Sequence, residues 1–160
     1  FDRGRAQGPL HLVSAWASKQ GLALGQREVD GKSNEITAIP ALLETLSLKN
    51  CIVTLDAMGC RKTSADRILD RGADYLLGLK ANHSKAFLAV KECCERHCFA
   101  RDATAKPVFD AFDDRHGRLV RRRVFVCPQA TSLEALRAWP GLHTVLAVKT
   151  IRGANGSGKV

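Results

Sequence analysis

The sequence predicts an α/β fold: a mixed sheet with helices packed on it, followed by a β-rich continuation. Three observations carry that expectation. Two β-prone segments separated by a short turn open the chain, apolar runs then alternate with helical periodicities, and beyond Arg101 the pattern becomes strand-like. The chain has 160 residues, enough for one hydrophobic core, and its apolar share of 45% is ordinary for a globular protein. We therefore expect residues 1–100 to form a partial core and residues 101–160 a β-rich continuation of the same domain.

Residues 10–17 and 22–29 are β-prone, and Lys19-Gln20-Gly21 between them makes a short turn, so the pair reads as an antiparallel hairpin. A polar loop, Lys32 to Glu35, leads into a helix over residues 36–48, with Pro40 expected in its first turn, where a missing N–H costs little. Ile39, Leu42, Leu43 and Leu46 give that helix its apolar face. Residues 51–55 are a continuous apolar run ending in Asp56, the pattern of a strand buried on both faces. Residues 62–71 suit a helix with Ala65, Ile68 and Leu69 inward and Gly72 as its stop. Residues 73–79 read as a second buried strand, and residues 84–98 as a long helix. Strand, helix, strand and helix in alternation imply a parallel crossover. Further on, residues 108–112 and 119–127 read as strands, residues 132–139 as a short helix and residues 143–151 as a last strand.

Lys and Arg number 25 against 16 acids, a net charge of +9, and Arg115, Arg118, Arg121, Arg122 and Arg123 lie close together. Such a surface attracts polyanions, nucleic acid above all, or serves solubility alone; charge does not choose between the two. The six cysteines contain no CxxC spacing. Cys93, Cys94, His97 and Cys98 outline half of a zinc knuckle, but the second ligand pair is missing. On a helix, Phe87, Val90, Cys94 and Cys98 share one face, which points to core packing and free thiols in a reducing compartment. No apolar run approaches the ~20 residues of a membrane span, and Phe1-Asp2-Arg3-Gly4-Arg5 lacks the apolar core of a secretion signal, so no membrane partner and a cytoplasmic location are expected. The chain begins with Phe1 and closes on the Gly-rich stretch before Val160, which reads as a piece of something longer.

Asp56 is the residue most suited to chemistry. It stands at the carboxyl end of an apolar strand, where open α/β sheets place their ligands, and a carboxylate fixed there can hold Mg²⁺ through oxygen. The other reading is that it braces the turn before the next helix. Near the end of the chain, Gly153 to Lys159 fits GxxxxGK, the outline of a phosphate-binding loop, but Val160 stands where Ser or Thr is needed.

Longer strings narrow the choice. His11-Leu12-Val13-Ser14-Ala15-Trp16, Lys32-Ser33-Asn34-Glu35-Ile36-Thr37-Ala38-Ile39-Pro40, Val53-Thr54-Leu55-Asp56-Ala57-Met58-Gly59-Cys60, Asp74-Tyr75-Leu76-Leu77-Gly78-Leu79-Lys80-Ala81-Asn82 and His116-Gly117-Arg118 resemble, in order and spacing, the DDE-type insertion-sequence transposases of the H-repeat-associated family. The resemblance covers essentially the whole chain. It implies a ribonuclease-H-like catalytic core, in which two Asp and one Glu hold two divalent metals, Mg²⁺ or Mn²⁺, for cutting and joining DNA strands. Asp56 matches the second Asp; the first is expected just upstream of Phe1 and the Glu beyond Val160, so the chain alone is expected to be inactive. Asp30, in Asp30-Gly31-Lys32, mimics the context of the first acid but follows the hairpin; Asp2 lacks that context, and Glu92 and Glu95 fall mid-helix. Lys80 and Asn82 are expected to face the DNA backbone, and His116, Arg118, Arg121 and Arg123 to touch phosphate. Six phosphate contacts would give a log–log salt slope of about −5. The implied partner is double-stranded DNA, with a possible homodimer and a nucleoid-associated location. A catalytically dead DNA-binding fragment is the alternative. Arg61, His83 and Val120 depart from the family's pattern, which commonly has Gln, Gln and an acid there.

Overall fold

The computed structural model describes residues 11–29, 35–113 and 119–152. They fall into two compact units, residues 1–82 and residues 83–160. The division expected at residue 100 is one of composition, whereas these units are drawn by contact.

In the first unit, β1 (His11–Ala17) and β2 (Leu22–Val29) form the expected antiparallel hairpin, with a bulge between Ala15 and Trp16. Gly21 closes the turn at φ +67°, a conformation L side chains resist, and its N–H donates to the Ala17 carbonyl at 2.8 Å. Helix α1 (Glu35–Thr45) packs on the hairpin with Leu42 and Leu43 buried; a Cβ on Gly25 would lie 3.3 Å from Leu42 Cδ1, so glycine permits the close approach. The helix is shorter than expected, and Pro40 sits in its second turn rather than its first, where it forgoes one backbone hydrogen bond. Its end is sealed from two sides. Thr45 Oγ1 donates to the Leu42 carbonyl at 2.7 Å, and the Arg71 guanidinium donates to the carbonyls of Glu44 and Leu46 at 2.6 and 3.0 Å, satisfying acceptors that the last turn leaves open.

Strand β3 (Ile52–Leu55), helix α2 (Lys62–Asp70) and β4 (Asp74–Leu77) follow, the two strands pairing in parallel from Ile52↔Asp74 to Leu55↔Leu77. Ala65 and Ile68 on α2 are fully buried, Ile68 within a core that includes Leu43, Leu48 and Ala73. The helix stops where Gly72 takes φ +69° and donates to the Leu69 carbonyl at 2.8 Å. Both strands were expected to be covered on two faces, and the structure corrects this. Val53, Leu55 and Tyr75 pack against the core, while Ile52 is 71% exposed and Leu76 49%. Among the described residues β1 pairs with β2 and β3 with β4, as separate ladders.

In the second unit, α3 (Ser84–Cys94) runs on into a π-helical turn, Glu95–Phe99. Three antiparallel strands, β5 (Phe109–Asp113), β6 (Val120–Val126) and β7 (Leu146–Arg152), lie in the order 5-6-7. Cys94 and Cys98 bury against Phe125, Cys127, Ala130 and Ala147, so the helix face read as core is core. The short helix expected over residues 132–139 is replaced by two 3₁₀ turns, Pro128–Ser132 and Glu134–Leu136, because Leu133 between them is extended (φ −63°, ψ 133°). The molecule is thus mixed α/β with small sheets, and among the described residues no helix is long and apolar enough to cross a membrane.

Candidate functional site

Parallel pairing sets the carboxyl ends of β3 and β4 side by side, and the Gly78 N–H extends the ladder to the Leu55 carbonyl at 3.0 Å. Asp56 is the first residue beyond β3 and is exposed. Its Oδ1 accepts from the backbone N–H groups of Met58 at 3.0 Å and Gly59 at 3.4 Å. That is the turn-bracing role, carried by one oxygen. Asp56 makes no other hydrogen bond or ion pair, so Oδ2 has no protein partner among the described residues.

The loop that carries this carboxylate is held from below. Ala57, Gly59 and Cys60 are buried, and burial pushes the Cys60 thiol up, which keeps it neutral. A Cβ on Gly59 would lie 3.0 Å from Leu55 Cβ and 3.2 Å from Ile39 Cδ1, too close for either to remain in place. A Cβ on Gly78 would meet the Ala57 nitrogen at 3.4 Å and the Asp56 carbonyl carbon at 3.5 Å, an ordinary contact. Asn82 folds back so that Nδ2 donates to the Ala57 carbonyl at 2.7 Å. Its amide therefore grips the Asp56 loop. Lys80 lies on the connection between β4 and Asn82, exposed and without a hydrogen bond or ion pair among the described residues. The sequence pattern marks Asp56, Lys80 and Asn82; the tight packing of Gly59 against Leu55 and Ile39 appears only in the structure.

Arg121 and Arg123 project from β6 on the side of the sheet that carries Asp110, since Asp110 pairs with Arg123 and Phe112 with Arg121 across the ladder. Arg121 grips Asp110 with two bonds of 2.7 Å, and Arg123 Nε approaches the same carboxylate at 3.2 Å, an ion pair whose angle is too poor for a hydrogen bond. The Arg121 hydrogen bonds hold the Asp110 carboxyl below its ordinary range, and its charge, with that of Arg123, adds to the effect against a smaller burial cost. Both guanidinium groups also lie over rings, Arg121 at 5.0 Å from the Phe112 centroid and Arg123 at 5.3 Å from that of Phe125. Arg122, on the opposite side, pairs with Asp113 at 3.1 Å. Arg121, Arg122 and Arg123 thus share two strand-borne carboxylates, Asp110 and Asp113. His116, Arg118, Asp2, Asp30 and the Gly153 to Lys159 motif lie outside the described residues. Glu92 and Glu95 are exposed and paired along their helix with Arg96 and Lys91.

Among the described residues no group of three or more His, Cys, Asp or Glu is placed to hold a metal ion. A cleft of about 300 Å³ lined by Leu43, Glu44, Arg67, Asp70 and Arg71 includes none of the predicted site residues.

The family described as "Transposase DDE domain" matches residues 1–136. The chain is similar to the "Uncharacterized protein in dhlA 3'region" of Xanthobacter autotrophicus, 38% identical over 154 residues, 96% of this chain and 51% of that protein. It is 35% identical over 156 residues to "H repeat-associated putative transposase YhhI" of Escherichia coli, 95% of this chain and 40% of the relative. Over a shorter stretch of 92 residues, 58% of the chain and 37% of the relative, it is 50% identical to "Putative transposase YncI" of the same species. The chain spans about half the length of these relatives, or less. No solved structure matches it significantly.

Proposed function

This chain belongs to the transposase family defined by the DDE domain, and from that premise we propose that it contributes one metal-binding carboxylate, Asp56, and a DNA-facing cationic surface to the cutting and joining of DNA strands. One observation supports the reading above all others. Asp56 is exposed just beyond a parallel strand, with one oxygen anchored by two backbone N–H groups and the other without a partner among the described residues. A carboxylate fixed in this way can receive a ligand without rearranging. The fold proposed for the whole protein is ribonuclease-H-like, and the order hairpin, helix, strand, helix, strand is consistent with it.

DDE-domain transposases work with divalent metal ions, and Mg²⁺ or Mn²⁺ is the ion proposed here. The donor fits, since both ions take hard oxygen ligands and Asp56 Oδ2 is one. Joined by further carboxylates, such an ion would supply Lewis-acid activation of an attacking hydroxyl and steady the leaving oxygen of a phosphodiester. The chain's own residues do the rest. The Met58 and Gly59 N–H groups fix the Asp56 rotamer, Asn82 holds the loop by its Ala57 carbonyl, and Lys80 offers an exposed cation to a DNA phosphate. Arg121 and Arg123, with His116 and Arg118, complete the proposed DNA-contacting set. The first two would share their charge between phosphate and Asp110.

The test is a chimera in which residues 11–152 replace the matching segment of the Xanthobacter relative. Mg²⁺-dependent nicking of supercoiled DNA should appear in the chimera and fall by at least ~10²-fold on Asp56→Asn, the scale of losing a metal-bound group. Undiminished nicking by the variant would remove Asp56 from the site.

A further inference from the structure

The second unit holds a group of sulfurs that the proposed chemistry does not use. We propose that Cys93 and Cys127 are an oxidation site: a peroxide converts them to a disulfide that ties α3 to the end of β6.

The geometry singles out this pair. Cys93 lies in the last turn of α3 and Cys127 one residue past β6, with their sulfurs 3.9 Å apart, in van der Waals contact. Cys94 and Cys98 lie near enough for Cys127 to influence their thiols, but Cys98 Sγ donates to the Val126 carbonyl at 4.0 Å, and Cys93 is the thiol in contact with Cys127. Access separates the three. Cys94 and Cys98 are 4% and 5% exposed on the inner side of the helix, whereas Cys93 is half-buried at its margin. An oxidant from solvent reaches Cys93 first, and the partner already in contact is Cys127. Cys51 is exposed and Cys60 buried in the first unit, so neither competes for this partner within its own unit.

The step balances as two thiols and one hydrogen peroxide giving one disulfide and two waters. The Cys93 thiolate attacks a peroxide oxygen, the O–O bond breaks, and Cys93 becomes a sulfenic acid as the first water forms. The Cys127 sulfur then attacks the Cys93 sulfur, the S–O bond breaks, and the second water leaves with the Cys127 proton. Burial, reinforced by the neighbouring Cys127, pushes the Cys93 thiol above its ordinary range, so little thiolate exists at neutral pH and oxidation accelerates as pH rises. The ring closed by the bond runs from the helix through β5 and β6, a long loop whose closure restricts the unfolded chain strongly.

The experiment uses the chain with Cys51→Ser, to prevent cross-linking between molecules. Hydrogen peroxide is applied at pH 7 and at pH 9, remaining thiols are alkylated, and peptides are mapped by tandem mass spectrometry without reduction. The expected product is one peptide pair joined through Cys93 and Cys127, formed faster at pH 9. It should raise the thermal midpoint by on the order of 10 °C, reversibly with dithiothreitol. Adding Cys93→Ser, a half-buried and isosteric change, should abolish both the link and the shift. A link through Cys94 or Cys98, oxidation of Cys93 that stops at the sulfinic acid, or an unchanged midpoint shift in the Cys93→Ser chain would each overturn the proposal.

Discussion

Asp56 in the first unit and Asp110 in the second are both carboxylates on strands or at their tips, and they have opposite circumstances. Asp110 is gripped by Arg121 through both oxygens and approached by Arg123, and its carboxyl is held below the ordinary range as a result. Asp56 has one oxygen anchored by its own loop and, among the described residues, nothing at the other. The same contrast separates their surroundings. In the second unit Cys93 meets Cys127 and Arg121 grips Asp110, whereas Asp56 and Lys80, beyond the ends of β3 and β4, are exposed. Clustered arginines therefore need not be free cations, since Arg121 and Arg123 share one carboxylate.

The largest expected effect comes from the buried thiols. Burial, reinforced by the Cys127 thiol, pushes Cys94 up to about 12 from 9.0. The folded state then keeps a proton that the unfolded chain gives up, so the stability is present below pH 9 and is lost as pH rises toward 12. Urea unfolding followed across that window should lose on the order of 3 kcal/mol. Cys94→Ala should reduce the loss, leaving the part that Cys98, raised to about 11, contributes.

Next in size is the seat of the Asp56 loop. Gly59→Ala forces a Cβ to within 3.0 Å of Leu55 Cβ and should cost about 2 kcal/mol, whereas Gly78→Ala makes only ordinary contacts and should cost less than about 1 kcal/mol, both read from denaturant midpoints. Smaller again, Asp110→Asn should free Arg121 and Arg123, raising duplex affinity several-fold and steepening the salt slope by about 1. Asp56→Asn changes the net charge equally and should leave affinity in the absence of metal nearly unaltered, so fluorescence anisotropy of the two variants separates local release from bulk charge. In acid, the stability that Asp110 contributes is present above the ordinary carboxylate range and disappears as pH falls through its lowered value; Asp110→Asn should remove that part of the acid transition. Of similar size, Asn82→Ala should cost about 1 kcal/mol, the scale of one hydrogen bond.

Much of the first unit is legible without coordinates. The hairpin is announced by Lys19-Gln20-Gly21, α2 by its inward Ala65 and Ile68 with Gly72 beyond, and the parallel pair by two apolar runs flanking that helix. What apolar runs conceal is coverage: a run such as Cys51 to Leu55 reads the same whether one face is covered or two, and Ile52 proves to be largely exposed. Residues 132–139 carry helical composition, yet an extended Leu133 divides them into 3₁₀ turns, since composition does not specify a backbone break. At the site, Asp56 is recognisable by its place at a strand end, and its turn-bracing reading is seen in the oxygen that accepts from Met58 and Gly59, while its metal reading is the one proposed. The capture of Arg121 and Arg123 by Asp110 depends on cross-strand register. The alternation Phe109-Asp110-Ala111-Phe112 opposite a basic strand is the only sequence signal of it. That Asn82 turns toward Ala57 depends on a fold-back that no local pattern encodes.

The central claim is that Asp56 presents an open oxygen to a divalent cation. Substoichiometric Mn²⁺ added to the isotope-labelled chain tests it most directly, through paramagnetic broadening of assigned backbone amides. Broadening centred on Asp56, Ala57 and Met58, absent from Asp56→Asn and unaffected by Asp110→Asn, is the result expected. Broadening centred elsewhere, or persisting at the same place in Asp56→Asn, would contradict it.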